Sequence, residues 1–270
     1  MGFRTAMTEN SESGQLSEGG GILTRPDGAT IAYHRLEGKT PGVVFLHGYH
    51  SDMEGTKALA LEEMCRAQRR AFLRFDYFGH GRSSGDVLYG TVGRWAADAV
   101  AVIGELTQGP QVLVGSSLGG WIALLAALEL RDKVAGLVGV AAAPDFTEDL
   151  MWQDFTFEQR RTLMETGQLE LPNCYEPDNP WHIHRSLIED GRNHLLLRDL
   201  IQIHCPVRLI QGQKDEDVPW QTAIRLADCL ASERVDVTLV KDGDHRLSRD
   251  GDLIRLTNAV AAMLGAIQES

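Results

Sequence analysis

The chain has 270 residues, enough for one large domain with a substantial core, and its composition of 43% hydrophobic and 24% charged residues is ordinary for a globular protein. Its formal net charge of -12 repels phosphate backbones, which argues against a nucleic-acid partner. The four cysteines are widely spaced and form no Cys-x-x-Cys pair, which argues against a metal site or a disulfide framework.

The first 20 residues are mostly polar or small, and we expect a disordered tail there. They lack the apolar run of a secretory signal, and Glu9, Glu12 and Glu18 are unlike a mitochondrial presequence. No apolar stretch of the sequence is long enough to cross a membrane. The sequence therefore predicts a cytoplasmic location and no membrane span.

The rest of the chain, residues 21–270, reads as one α/β domain. A turn at Pro26-Asp27-Gly28 predicts an opening β-hairpin of Ile22–Arg25 and Thr30–Leu36. Short apolar runs then alternate with amphipathic segments, which predicts a mostly parallel sheet covered by helices on both faces. The predicted strands are Val43–Leu46, Ala71–Phe75, Val112–Gly115, Val134–Ala141, Val207–Gln211 and Val235–Val240. The predicted helices are Thr56–Arg69, Val92–Leu106, Leu118–Leu130, Gln221–Ala231 and Leu253–Gln268.

One insertion, about residues 144–205, breaks this alternation and shows no strand pattern. Insertions between strands usually lie over the carboxyl edge of such a sheet, where ligands bind. We expect a helical cap, with Trp152 and Phe155 among the substrate-binding residues. The alternative is a helical insertion packed on the side of the sheet.

The motif Gly115-Ser116-Ser117-Leu118-Gly119 lies between a predicted strand and a predicted helix. This context is typical of a nucleophile elbow, in which a sharp turn exposes the central serine at the carboxyl edge of the sheet. The first amides and the dipole of the following helix favour a developing anion. The register makes Ser117 the candidate nucleophile and leaves Ser116 as a flanking residue.

A serine hydroxyl needs a base that removes its proton. Of the nine histidines, His245 is best placed, because it follows the last predicted strand and precedes the last helix. It therefore reaches the same sheet edge as Ser117.

An acid that orients the histidine is expected between serine and histidine in chain order. The segment Gly212–Pro219 follows a strand and contains three acids. Asp215 comes soonest after the strand and is favoured to accept a hydrogen bond from the imidazole. Asp217 is the alternative, although its place before Val218-Pro219 suits a helix cap.

The strand Val43–Leu46 ends in His47-Gly48-Tyr49. In folds built around such a nucleophile elbow, the loop after this strand supplies one backbone amide to an oxyanion hole, and the residue after the nucleophile supplies the other. We therefore expect the main-chain amides of Tyr49 and Leu118 as donors, with His47 bracing the loop.

In this order the motifs resemble those of the α/β-hydrolase superfamily over about residues 22–268. Within it the chain resembles the depalmitoylase branch, which includes acyl-protein thioesterases and a mycophenolic acid acyl-glucuronide esterase, and it looks like a bacterial relative. The resemblance implies a triad of Ser117, Asp215 and His245, and hydrolysis of esters or thioesters of medium-to-long or bulky acyl groups. The segments that carry it are Gly48–Ala58, Arg74–Tyr77, Val114–Trp121, Asp217–Trp220 and Asp244–Arg246.

The sequence thus predicts a serine esterase or thioesterase that forms an acyl-enzyme on Ser117, needs no cofactor or metal, and acts on a small-molecule or acylated substrate. Two alternatives stay open. The same residues could serve a peptidase, a carbon–carbon bond hydrolase or a perhydrolase, or the fold could be a non-catalytic ligand-binding protein. The oligomeric state is not indicated by the sequence.

Overall fold

An eight-stranded sheet forms the centre of the computed structural model, which describes residues 18–172 and 180–268. Its strands are β1 (Glu18–Thr24), β2 (Thr30–Leu36), β3 (Lys39–Leu46), β4 (Arg70–Phe75), β5 (Gln111–Ser116), β6 (Val134–Val140), β9 (Val207–Gly212) and β10 (Val235–Val240). They lie in the order β1-β2-β4-β3-β5-β6-β9-β10. Strand β2 pairs antiparallel with β1 and β4, and the remaining pairs are parallel. The predicted α/β fold, opened by a hairpin, is confirmed.

Helices cover both faces of this sheet. They are α1 (Thr56–Ala67), α2 (Val92–Leu106), α3 (Leu118–Glu129), α6 (Gln221–Cys229) and α7 (Asp250–Gln268). Alternate residues of a strand point to opposite faces. Val44 and Leu113 accordingly pack with residues of α2, α3 and α6, whereas Val43 and Val112 pack with residues of α1 and α7. The buried core therefore forms two layers, one on each face.

The opening strand differs slightly from its prediction. It begins at Glu18, three residues inside the segment 1–20 that the sequence assigns to a tail. Pairing with the whole of β2, from Thr24 opposite Thr30 to Glu18 opposite Leu36, extends the hairpin over these residues. The remainder of that segment lies outside the described residues.

The insertion between β6 and β9 forms a small cap. It contains a π-helical turn (Thr147–Trp152), α4 (Phe157–Thr166), β7 (Gln168–Leu171), β8 (Trp181–His184), α5 (Arg185–Gly191) and a 3-10 turn (Arg192–His194). Strands β7 and β8 pair antiparallel, so the prediction of an insertion without strands is wrong. Both strands have only four residues, too few for a periodic pattern to stand out in the sequence.

Asp145 joins the two ends of the cap. Its fully buried carboxylate accepts hydrogen bonds from the amides of Leu196 at 2.7 Å and Leu197 at 2.8 Å, and it pairs with the Arg198 guanidinium. Asp145 also has a positive φ of 60°, a conformation that aspartate and asparagine tolerate better than most side chains. The first and last segments of the cap are therefore held together at the edge of the sheet.

We expect Asp145→Ala to lower the free energy of unfolding by about 3 kcal/mol, because two buried amides lose their acceptor and alanine is strained at this φ. Urea unfolding followed by circular dichroism measures the loss. Asp145→Asn is the matched control: it keeps one acceptor oxygen and the preferred backbone conformation, so its loss should be smaller. Equal losses for the two variants would contradict this role of the carboxylate.

Candidate active site

Ser117 lies at the sharp turn between β5 and α3. Its backbone has φ 53° and ψ -120°, outside the regions favoured by ordinary side chains. The Ser117 amide donates to the Val140 carbonyl at 2.9 Å, and the Ser117 carbonyl accepts from the Gly120 and Ala143 amides. The neighbouring strand and the new helix therefore fix this strained turn, as the predicted elbow requires.

Two glycines make the elbow possible. A Cβ atom on Gly119 would lie 2.0 Å from the Leu46 carbonyl oxygen, and one on Gly115 would lie 2.2 Å from the Gly119 carbonyl oxygen. Both distances are far inside van der Waals contact, and the obstacles are backbone atoms that cannot rotate away. Helix α3 can pack this closely against β3 and β5 only with glycine at both positions.

His245 reaches Ser117 from the loop between β10 and α7. Its Nε2 lies 3.0 Å from the Ser117 hydroxyl oxygen, although 128 residues separate the two in the chain. The His245 side chain is 18% exposed, so one side of the ring stays open to solvent. The expected convergence of these two residues on one sheet edge is therefore present.

Asp215 completes a hydrogen-bonded row. Its fully buried carboxylate lies 2.9 Å from Nδ1 of His245 and also accepts from the side-chain amide of Gln211. Its second oxygen accepts from the amides of Asp217 and Val218. Because a carboxylate only accepts, Nδ1 carries the ring proton, and Nε2 of neutral His245 is free to accept the proton of Ser117.

The carboxylate of Asp217 lies beside this row. One ligand atom each of Asp215, Asp217 and His245 falls within 4.8 Å of the others, the spacing of a metal site. Hydrogen bonds within the chain, however, already engage both oxygens of Asp215 and both ring nitrogens of His245. These contacts explain the cluster as an aligned row of hydrogen bonds rather than a set of free ligands.

The loop after β3 passes close to Ser117. A Cβ on Gly48 would lie 3.4 Å from the Ser117 Cβ, so the backbone of this loop borders the serine directly. Within the described chain, no hydrogen bond joins the amide of Tyr49 or of Leu118 to another protein group. His47 donates from Nδ1 to the Gly48 carbonyl at 2.8 Å, and burial lowers the pKa of His47. A buried, neutral His47 that braces the loop agrees with the sequence-based expectation.

An aromatic wall links this loop to the cap; we use the term for Tyr49, Trp121, Phe146 and Trp181. The Tyr49 ring lies 6.2 Å from that of Phe146 and 6.5 Å from that of Trp181, and the Phe146 ring lies 5.7 Å from that of Trp121. Phe146 and Trp181 belong to the cap, whereas Trp121 lies one turn after Ser117 in α3. The cap therefore lies over the carboxyl edge of the sheet and meets the loop after β3 through aromatic side chains.

Trp152 and Phe155, the substrate-binding residues that the sequence suggests, lie in a separate cluster of the cap. Phe155 is buried with Leu163, Leu169 and Ile188 in the interior of the cap, and Trp152 packs against this cluster. The guanidinium of Arg192 lies 4.6 Å from the Trp152 ring centre. These aromatic residues stabilise the cap itself, because a small subdomain must bury its own apolar side chains. The position of Phe146, just after the end of β6, was the available signal for a residue near the site.

The fold and site together have the architecture of a serine hydrolase. The sheet is mostly parallel, a strained serine lies between a strand and a helix, and a histidine and an aspartate follow later strands. The chain matches the alpha/beta hydrolase family over residues 43–255, and it belongs to that family.

Several known members of this family share a high sequence identity with the chain. It is 43% identical over 232 residues to palmitoyl-protein thioesterase ABHD10, mitochondrial, of Bos taurus, covering 86% of this chain and 76% of that protein. The human protein of the same name is 42% identical over the same coverage. The predicted resemblance to the depalmitoylase branch is confirmed, as is the predicted class, a serine hydrolase of esters or thioesters.

Solved structures agree with this placement. The mouse alpha/beta hydrolase domain-containing protein 10 superposes with a TM-score of 0.86 at 40% identity, over 92% of this chain and 99% of that one. A crystal structure of an Agrobacterium vitis S4 protein gives a TM-score of 0.87 at 39% identity over the same shares of the two chains.

The matched relatives also correct the predicted location. The matched ABHD10 proteins are mitochondrial by name, which contradicts the predicted cytoplasmic location. Among the helices of residues 18–172 and 180–268, none combines the length and the apolar character that a membrane crossing requires.

Proposed function

We propose that this protein hydrolyses thioesters and esters of long or bulky acyl groups through an acyl-enzyme on Ser117. The observation that carries the proposal is the aligned row in which Nε2 of His245 lies 3.0 Å from the Ser117 hydroxyl and Nδ1 lies 2.9 Å from Asp215. The related ABHD10 proteins, named as palmitoyl-protein thioesterases, favour thioesters as the substrate class.

The row supports a two-step reaction. The Ser117 oxygen attacks the carbonyl carbon while His245 takes the hydroxyl proton, and Asp215 stabilises the imidazolium that forms. The tetrahedral intermediate collapses and expels the thiolate or alkoxide, which takes the proton from His245. Water then attacks the acyl-serine, His245 accepts the water proton, and collapse returns that proton to Ser117 and releases the free acid.

The Tyr49 and Leu118 amides are the proposed donors to the oxyanion. Their lack of a protein acceptor, together with the close approach of the Gly48 backbone to Ser117, supports this role. Two amides held in place before the reaction stabilise negative charge on the carbonyl oxygen without rearranging. Because both donors are main-chain amides, replacing the side chain of Tyr49 or of Leu118 would not remove them.

The aromatic wall is the proposed contact surface for the acyl chain. The Tyr49 phenol is neutral at physiological pH, as tyrosine normally is, and burial raises its pKa further, so the ring can face an apolar chain. Phe146 and Trp181 close the wall from the side of the cap. Each methylene that the wall removes from water contributes about 0.8 kcal/mol.

We expect kcat/KM to rise with acyl length across p-nitrophenyl acetate, butyrate and octanoate, by about tenfold or more between the first and last. Phe146→Ala should flatten this dependence, because it removes a ring between Tyr49 and Trp121. Trp152→Ala is the matched control, since that ring packs within the cap. A steep preference of the wild type for acetate would contradict the proposed acyl surface.

The thioesterase activity itself is tested with an S-octanoyl cysteine peptide and the corresponding O-octanoyl serine peptide. The wild type should release octanoate from the thioester, and mass spectrometry should detect an octanoyl adduct on the peptide that contains Ser117. Complete inactivity towards both peptides and towards p-nitrophenyl octanoate would refute the proposed function.

A further inference from the structure

Lys57 makes a contact that the row of Ser117, His245 and Asp215 does not explain. It is the second residue of α1, and its Nζ donates to the main-chain carbonyl of Arg246 at 2.5 Å across 189 residues of chain. Arg246 directly follows His245. The start of α1, which supplies none of the three residues of the row, therefore holds the loop that carries the imidazole.

This loop turns sharply just beyond His245. Leu247 has a positive φ of 43°, a strained conformation for a leucine. The Leu247 amide donates to Asp244 at 2.9 Å, and the Ser248 hydroxyl donates to the Arg246 carbonyl at 3.0 Å. These two bonds are local to the loop, whereas the Lys57 bond ties the Arg246 carbonyl to a separate helix. A tether from a rigid element restrains the direction of His245 more than bonds within the loop can.

We infer that Lys57 is a positioning residue that holds the His245 loop so that Nε2 stays within hydrogen-bond distance of Ser117. The inference rests on the proposed function, and it assigns Lys57 no contact with substrate.

The electrostatic setting of Lys57 supports this role. Burial lowers the pKa of Lys57 to about 8, with the Arg246 charge adding to the lowering and the carboxylates of Asp244 and Asp252 opposing it. A lysine whose pKa is lower in the folded than in the unfolded chain destabilises the fold below pH 8, and this cost fades as the pH rises towards the unfolded value of about 10.4. A charged Lys57 that lowers the stability of the fold is consistent with a functional role for its hydrogen bond to the Arg246 carbonyl.

The test compares Lys57→Met with Lys57→Arg and Lys133→Met. Lys133 is a matched control, because its Nζ donates to the carbonyls of Ile103, Gly104 and Thr107 at the end of α2, and it directly precedes β6, at the sheet edge opposite the elbow. We expect Lys57→Met to lower kcat for p-nitrophenyl octanoate by about tenfold with little change in KM, as befits the loss of one charged hydrogen bond. Lys57→Arg, which keeps a charged donor, should recover kcat to within about threefold of the wild type.

Two further readouts separate positioning from stability. The rate of fluorophosphonate labelling of Ser117 should fall in parallel with kcat in Lys57→Met, whereas Lys133→Met should lower the thermal unfolding midpoint and leave both rates unchanged. A crystal structure of Lys57→Met should show the His245 ring displaced from Ser117. If Lys57→Met does not fold, Lys57→Gln is measured instead and should give an intermediate loss of kcat.

An unchanged kcat in the Lys57 variant, a rise in KM alone, or an undisturbed 3.0 Å contact between His245 and Ser117 would overturn the inference. Failure of the proposed function looks different, because the wild type itself would then neither turn over the ester nor react with the fluorophosphonate.

Discussion

Ser117→Ala should lower kcat for the S-octanoyl peptide and for p-nitrophenyl octanoate by about 10⁵-fold, because the attacking oxygen is removed while the rest of the site remains. Residual turnover would come from water bound near His245 and from the proposed oxyanion donors. KM should change little, because the proposed contacts between the acyl chain and the aromatic wall do not involve the serine hydroxyl. The fold should be retained, because alanine keeps the Cβ that the elbow accommodates at Ser117.

Ser116→Ala is the matched control for this variant. Ser116 is the last residue of β5, adjacent in the same motif, and largely buried. We expect its kcat to stay within about fivefold of the wild type, since most substitutions away from reacting groups have small effects. A fluorophosphonate should label the wild type and Ser116→Ala but not Ser117→Ala. Labelling of Ser117→Ala, or loss of activity in Ser116→Ala alone, would move the nucleophile to another residue.

The positions of Ser117 and His245 could be predicted because they depend on chain order and on a property shared by all parallel sheets. The carboxyl ends of parallel strands meet at one edge, so residues that directly follow β5 and β10 converge there whatever lies between them. The glycines at 115 and 119 added a local steric signal for the elbow. The choice between Asp215 and Asp217 was less secure from the sequence, because both follow β9 and only the direction of each side chain separates them.

The sequence could not predict the direction in which the side chains of the cap point. Trp152 and Phe155 are aromatic residues of the kind that line pockets, yet Phe155 is buried inside the cap and Trp152 packs against the same cluster. Phe146 and Trp181 instead approach Tyr49 in the loop after β3. A cap of short elements carries little periodicity, so pattern alone cannot say which of its aromatic faces turns inward.

The Lys57 contact illustrates a second limit. Its partner is a main-chain carbonyl 189 residues away, and any residue type presents a carbonyl, so the partner leaves no trace in the sequence. From the sequence, Lys57 belongs to a predicted helix, Thr56–Arg69, and to a segment that carries the family resemblance. The three-dimensional structure is what connects it to the His245 loop.

Asp215→Asn should lower kcat by about 10³- to 10⁴-fold with the fold intact, an expectation taken from the corresponding change in other serine hydrolases. The asparagine oxygen can still accept from the Asp217 and Val218 amides, as Asp215 does in the wild type. Its amide nitrogen then faces both Gln211 and Nδ1 of His245, where the wild type has an acceptor. A donor at this place favours the tautomer with the proton on Nε2, and that tautomer cannot accept the proton of Ser117.

The matched control is Asp217→Asn, which removes the same single negative charge from the neighbouring side chain. Asp217 lies within 4.8 Å of the Asp215 and His245 ligand atoms, so any effect of net charge on His245 should appear in both variants. We expect Asp217→Asn to keep kcat within about threefold of the wild type, because the hydrogen bond to Nδ1 belongs to Asp215. Steady-state kinetics on p-nitrophenyl octanoate, with thermal unfolding to confirm the fold, measure both variants. If Asp217→Asn lost as much activity as Asp215→Asn, the local negative charge rather than the fixed tautomer of His245 would control the reaction, and the role assigned to Asp215 would be wrong.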